Sequence, residues 1–271
     1  MAIRYPAVAG TFYEAGAEAL RETVTSHLDA AYVESAPERV AALVVPHAGF
    51  IYSGATAGHA LARARGKRAG RVLILGRSHR QQFDGAVVPM EDRFRTPLGE
   101  LAVDRAFIER MGDAVCFDAA SAHTDEHCLE VILPFVQVAL GEVPIVPILF
   151  GTDPGESHIQ LGERLAGMLD ASDLVIASTD LSHYLTEERA NVLDQAALNR
   201  VLSRDCHALI EDTNEGVCSM CGAAAVVCTM ACSLARGARD WRILHYSTSA
   251  RASGDHHRVV GYGAVSMEWG D

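Results

Sequence analysis

The sequence predicts an α/β protein in which helices are layered on one largely buried, mixed β-sheet. Three observations carry this. Short apolar runs recur at wide intervals, and most contain β-branched residues and end at Pro, Gly, Ser or Asp, as strands do. Stretches with helical patterning separate these runs, the alternation expected of α/β layers. The last two runs follow one another with no helix between them, so the sheet is mixed rather than purely parallel. The chain has 271 residues, 49% of them hydrophobic, and no repeat, low-complexity tract or linker, so one domain over 1–271 is expected.

Taken in order, strands are expected at 40–45, 71–75, 86–88, 145–149, 174–177, 241–246 and 259–267. Segment 53–64 is rich in Ala and Gly with little charge, and reads as a helix packed tightly against a sheet. LEVILPFVQVAL (129–140) reads as a helix that Pro134 either bends or opens in its first turn. Segments 159–169 and 187–203 are amphipathic. Segment 222–234 is apolar enough for a buried helix, where Cys228 and Cys232 act as small apolar fillers. The basic run RARGKRAGR (63–71) reads as a solvated helix end.

Bulk properties exclude several classes. With 35 acidic against 23 basic side chains, the formal net charge is -12, which repels phosphate backbones and argues against nucleic acid as a partner. No apolar segment is long enough to span a membrane. The start, MAIRYPAVAGTFYEAG, lacks a basic and then apolar leader. A cytoplasmic protein is expected. Seven cysteines without secretory context predict no disulfide framework. Cys218 and Cys221 have C-x-x-C spacing, but a zinc ribbon needs a second such pair and none exists.

Chemistry collects where strands end. VVPHAGFIYSG (44–54) runs from an apolar strand through a proline to His47. RVLILGRSH (71–79) repeats the design and delivers His79, and LVIASTDLSH (174–183) delivers Asp180 and His183. A fourth group, DEHCLE (125–130), supplies Glu126, His127 and Glu130 before a helix. In open α/β sheets the carboxyl ends of strands face the ligand crevice. Any one of these histidines alone reads as a packing residue; the repeated strand–turn–His placement points to one shared metal or catalytic pocket. Imidazoles suit Fe, Zn, Cu or Ni. Asp180 either orients a histidine or caps a helix opening at LSHY. His27, His59, His158 and His207 read as surface or packing residues, and His256 and His257 as exposed loop residues.

RYPAVAGTFYE, VVPHAGFIYSG, LILGRSH, DEHCLEVILPF, ASTDLSHY, MCGAAAV and HYSTSARASGDHHRVVGYGAV occur in that order. In this the chain resembles the Memo family (mediator of cell motility), whose microbial members are called AmmeMemoRadiSam system protein B. The similarity covers about residues 4–268. The resemblance implies a three-layer α/β/α single domain around a central mixed sheet, the fold of LigB-type class III extradiol dioxygenases. Those enzymes hold Fe(II) with two histidines and a glutamate, and a further histidine serves as acid/base. Carried over by motif, His47 and His79 are the metal-binding histidines, and His183 the acid/base with Asp180 beside it. His127 and Cys221 are polar residues lining the pocket. Counted back from VVGYGAV, the third-ligand position falls at Ala252, which binds nothing. Asp255, Cys221, His127 or water then completes the shell, or the site holds no metal.

Three functions follow. The first is a metal-dependent, dioxygenase-like redox enzyme on a small substrate, with Fe(II), Cu or Zn as the metal. The resemblance implies company for it, a radical-SAM protein and an AMMECR-type protein. The second is a non-catalytic module that binds a peptide or partner, although few arginines (Arg77, Arg80, Arg242 and Arg251) lie near the pocket motifs. The third is a hydrolase or phosphorylase built on His183 and Asp180 with Ser178, Thr179 or Ser182; no G-x-S-x-G elbow supports it.

Overall fold

A computed structural model describes residues 2–117 and 119–270. Its strands are β1 (Ile3–Arg4), β2 (Val40–Val45), β3 (Val72–Arg77), β4 (Ala86–Val87), β5 (Arg93–Thr96), β6 (Gly99–Ala102), β7 (Ile145–Phe150), β8 (Leu174–Ser178), β9 (His183–Leu185), β10 (Asp240–Thr248) and β11 (Val259–Glu268). Its helices are α1 (Ala17–Asp29), α2 (Phe50–Arg63), α3 (Arg105–Met111), α4 (Leu133–Leu140), α5 (Glu156–Ala166), α6 (Glu187–Leu202), α7 (Cys206–Asn214), α8 (Ala223–Ala235) and α9 (Ala250–Ser253).

The main sheet is 8-stranded, in the order β10-β11-β2-β8-β3-β7-β4, with β9 paired to β11. Its centre, β2-β8-β3-β7, is parallel, and antiparallel strands flank it on both sides. The central strands are buried on both faces, as their unbroken apolar runs require. Crossovers explain the layers. Through α2 and α4 the chain moves from β2 to β3 to β7 in one direction along the sheet, and from β7 through α5 to β8 it returns. Right-handed crossovers then place the two sets on opposite faces. Accordingly α1, α2 and α4 pack together, as do α5, α7 and α8. A second, 3-stranded sheet has the order β1-β5-β6.

Every strand expected from the sequence forms, with ends shifted by a few residues. Pro134 sits in the first turn of α4, preceded by a 3-10 turn over Glu130–Ile132. The small residues of α2 serve helix packing as well as sheet packing: a Cβ at Gly58 would lie 2.6 Å from the carbonyl oxygen of His27 on α1. The basic run 63–71 is not a solvated helix end throughout. Arg63 is buried in an ion pair with Glu268, and Lys67 is buried with its ammonium on the Pro37 carbonyl. No described helix is long and apolar enough to cross a membrane.

Candidate metal centre

The chain leaves β2 toward one face of the sheet and β8, its parallel neighbour, toward the other. This is the switch point at which an open α/β sheet presents a crevice. His47 follows β2, His79 follows β3, and Asp180 and His183 follow β8, so three neighbouring strand ends deliver them to one place. The imidazoles converge. Ring centroids lie 5.2 Å apart for His47 and His79, 5.4 Å for His47 and His127, and 4.7 Å for His79 and His127.

Hydrogen bonds settle which ring nitrogens carry protons. Ser178 Oγ donates its one proton to the Cys128 carbonyl at 2.7 Å, so its 2.7 Å contact with His47 Nδ1 must have the imidazole as donor. His47 is therefore protonated on Nδ1, and its Nε2 lone pair faces the Cys221 thiol. Burial, then the neighbouring His79 and His127, hold its pKa well below the ordinary value, so the ring is neutral at pH 7. Glu126 sets the other two rings. Its buried carboxylate accepts the backbone N–H of His79 (2.6 Å), His127 (3.0 Å) and Cys128 (3.1 Å), and meets Nδ1 of His79 at 3.0 Å and of His127 at 3.2 Å. Burial opposes its ionisation, yet the His127 and His79 donors hold the carboxyl far below the usual carboxylate range. An ionised carboxylate only accepts, so both rings donate to it from Nδ1 and keep Nε2 for another partner. A carboxylate or hydroxyl behind each histidine is the usual support of a metal-ligating imidazole.

The third donor is sulfur. Cys221 Sγ lies 3.4 Å from His47 Nε2, and donor atoms of His47, His79 and Cys221 all fall within 4.8 Å of one another. Metal–nitrogen and metal–sulfur bonds of about 2.05 and 2.3 Å in a tetrahedral shell separate such a pair by about 3.5 Å. The three side chains therefore fit one metal ion. The turn that places the sulfur is locked to the end of β8: the Cys221 N–H donates to the Asp180 carbonyl at 3.1 Å, and the Asp180 N–H donates to Cys221 Sγ at 3.2 Å. Gly222 makes this approach possible, since a Cβ there would lie 2.2 Å from the Ser178 carbonyl oxygen. Burial, then the nearby Asp180 carboxylate, pushes the free thiol up to about 12, so metal binding must displace its proton.

A second cluster of donor atoms, His79, Glu126 and Cys128, is not a competing centre. Glu126 is engaged by the N–H groups above, and the fully buried Cys128 thiol donates to the Arg77 carbonyl at 3.3 Å. Beside the centre lies a cavity of about 390 Å³, lined by Asp180, His127 and His183 and walled by Phe12, Tyr52 and Tyr262.

Residues 4–266 match the family described as Memo-like protein. The chain belongs to the Memo family. A MEMO1 family protein of Methanopyrus kandleri is 34% identical, covering 98% of this chain and 99% of its own length. A MEMO1 family protein of Archaeoglobus fulgidus is 35% identical, covering 97% and 98%. The crystal structure of an uncharacterised protein from Escherichia coli K12 matches with a TM-score of 0.51 at 15% identity, over 84% of this chain and 100% of that one, and shows the fold alone.

In this Memo-family chain the residues singled out by sequence divide as follows. His47, His79 and Cys221 form the three-donor group, while His127 lies beside it with its ring tilted against His79, held by Glu126. His183 lines the cavity from β9; burial lowers its pKa, with the Leu181 backbone opposing the shift. Asp255 lies exposed at the rim, its Oδ1 taken by the His257 N–H at 2.8 Å. Two expectations fail. Ala252 is not at the centre but exposed on α9; of the alternatives Asp255, Cys221, His127 and water, it is the Cys221 sulfur that groups with His47 and His79. Asp180 is neither a helix cap nor a partner of His183. The backbone after it runs into β9, and its carboxylate accepts the His47 N–H at 2.8 Å, with burial raising its pKa to about 6.

The hydrolase reading gains no accessible nucleophile, because Ser178, Thr179 and Ser182 are all buried, Ser178 between Cys128 and His47 and Thr179 with its hydroxyl on the Asp180 carbonyl. The C-x-x-C pair is split as well. Cys218 is buried against Thr213 and is not among the donors grouped with Cys221. Sequence reasoning missed the role of Glu126 as the common anchor, although DEHC places that carboxylate beside His127. It also missed Arg258, which nothing in the sequence distinguishes from other surface arginines.

Proposed function

We propose that this chain binds one late first-row transition-metal ion, Fe(II) or copper, through His47 Nε2, His79 Nε2 and Cys221 Sγ, and acts as an oxidoreductase on a small organic substrate in the adjoining cavity. The observation that carries this reading is the convergence of two imidazoles, each with its proton fixed on Nδ1, and one sulfur within 4.8 Å. Imidazole and thiolate select transition metals over Mg or Ca, and the sulfur distinguishes the site from a two-histidine, one-carboxylate iron centre. The bound ion supplies redox chemistry and an open coordination position.

The chain's own residues do the rest. Glu126 and Ser178 hold the ligand rings in one tautomer. His183, neutral because burial lowers its pKa, has a ring nitrogen to take a proton from a substrate hydroxyl. Aromatic walls at Phe12, Tyr52 and Tyr262 displace water from a planar substrate.

The test is metal analysis of untagged protein after anaerobic reconstitution, in wild type and the His47→Ala/His79→Ala double variant. The reading requires about one equivalent of Fe or Cu in wild type and little in the variant; equal contents would end it. Preferential retention of zinc would leave a metal site without its redox role. The partnership with radical-SAM and AMMECR-type proteins that the family resemblance implies is tested separately, by co-purification with those proteins.

A further inference from the structure

The cavity beside the metal centre has a mouth whose chemistry is unlike the rest of this acidic chain. Tyr184 stands there with φ of +60°, left-handed backbone that a bulky residue rarely adopts, and its ring is 66% exposed. Strain of this kind persists where surrounding structure enforces it, and here β9 is pinned by pairing with β11 (His183 to Val260, Leu185 to Val259). The guanidinium of Arg258 lies over the Tyr184 ring, 5.3 Å from its centroid. Both residues line the cavity, together with His183, Tyr52 and Tyr262. Arg258 makes no ion pair with any described carboxylate, although the chain carries 35 acidic residues. A loop acid, Asp255, lines the same cavity but spends its Oδ1 on the His257 N–H.

A cation oriented by stacking and left without a protein partner at a cavity mouth is an anion receptor. The number of charges decides which anion. One guanidinium faces the cavity while the carboxylates of Asp180 and Asp255 line it too, so a dianionic phosphate meets more repulsion than a single arginine offsets. A singly charged carboxylate matches one guanidinium fork. The body of the ligand is set by Phe12, Tyr52 and Tyr262, which offer flat apolar faces, and by a volume of about 390 Å³, near the small end of ligand sites.

We propose that the ligand of this cavity is a small, planar organic monocarboxylate, its carboxylate paired with Arg258 at the mouth and its ring or conjugated body lodged against Phe12, Tyr52 and Tyr262. This names the substrate class of the proposed oxidoreductase and rests on that reading for its chemistry. The binding step stands apart from the metal and is tested apart from it.

The experiment is calorimetric titration of metal-free and zinc-loaded protein with three probes of one shape: 4-hydroxybenzoate, 4-hydroxybenzyl alcohol and phenyl phosphate. The proposal requires the carboxylate to bind at least about 10-fold tighter than the alcohol and the phosphate in both forms, the loss expected when one charge-assisted pair is absent. Arg258→Gln abolishes that preference, and Arg258→Lys keeps only part of it because an ammonium cannot offer the fork. Carboxylate preference that survives in the His47→Ala variant, which loses metal, separates this inference from the metal reading. Equal binding of acid and alcohol, tighter binding of phenyl phosphate, no binding of the acid, or an Arg258→Gln variant that still prefers the acid would each overturn it.

Discussion

Replacing Ser178 by alanine removes one hydroxyl and should weaken metal binding from a residue that never touches the metal. In the wild type that hydroxyl closes a chain of two 2.7 Å hydrogen bonds, from His47 Nδ1 to Ser178 and from Ser178 to the Cys128 carbonyl. Ser178 and Cys128 are 0% exposed and His47 is 2% exposed, so no water takes over. Each buried group left unpaired costs about 1–3 kcal/mol. His47 can relieve its share by moving the proton from Nδ1 to Nε2, where Cys221 Sγ sits 3.4 Å away as an acceptor. That shift places a proton on the atom that would hold the metal. A loss of about 10- to 100-fold in metal affinity is expected, the usual penalty for losing a ligand's supporting partner. Competition against a chromophoric chelator measures the affinity, long-range proton–nitrogen spectra report the tautomer, and urea unfolding measures stability. Ser178→Thr, which keeps the hydroxyl, should recover most of the affinity. A folded Ser178→Ala protein with unchanged affinity, or one whose His47 proton stays on Nδ1, would refute the reasoning.

Other perturbations test the rest of the frame. Glu126→Gln turns an amide donor toward five N–H groups and should cost about 3–5 kcal/mol in urea unfolding, together with most metal binding; a loss below about 1 kcal/mol would contradict the anchoring role. Arg4→Ala strands the fully buried Glu130, which also accepts the N–H groups of Ala7 and Val8 and the Tyr13 hydroxyl, and should destabilise by a similar amount of about 3–5 kcal/mol. Stability should fall in acid. His123 is 1% exposed, and burial lowers its pKa from 6.5 to about 4. Its contribution is complete above pH 6.5, where both states are neutral. Between pH 6.5 and 4 the unfolded chain binds the proton first, so about 3 kcal/mol is lost over that window. Unfolding midpoints at pH 7 and 4.5 in wild type and His123→Gln check this; an equal drop in both would exclude His123 as a source. His183→Asn should leave metal content within about twofold of wild type, because its ring lies outside the ligand group.

Much of this frame was legible because it rests on periodicity and on punctuation at strand ends. Fully buried parallel strands such as 72–77 and 145–150 announce themselves as unbroken apolar runs, and the residues just after them fall at the crevice by topology alone. The extent of helix α1 is hard to read, because AEALRETVTSHLD buries only Leu20, Val24 and Leu28, a stripe one residue wide on a polar helix. The hairpin of β5 and β6 was missed because its segments RFRT and GELA are short and half polar. At the site, the histidines were legible, and Cys221 was one of several candidates for the third donor that sequence alone could not choose between. Cys221 is 174 positions from His47 and reaches it only because Gly222 and Thr179 fold its turn onto the end of β8. Counting along the last strand led instead to Ala252, since sequence spacing does not say which of two loops covers a crevice. The Asp180 capping pattern was misread for a related reason: Tyr184 takes a left-handed backbone, and the chain enters a strand where a helix was expected.

The central claim, that His47, His79 and Cys221 share one metal ion, is most directly tested by titrating Co(II) into metal-free protein under anaerobic conditions. The account predicts saturation at one equivalent with a near-ultraviolet sulfur-to-cobalt charge-transfer band, absent from Cys221→Ser and not restored by excess metal. A Co(II) spectrum without that band in wild type, or the same band in Cys221→Ser, would contradict it.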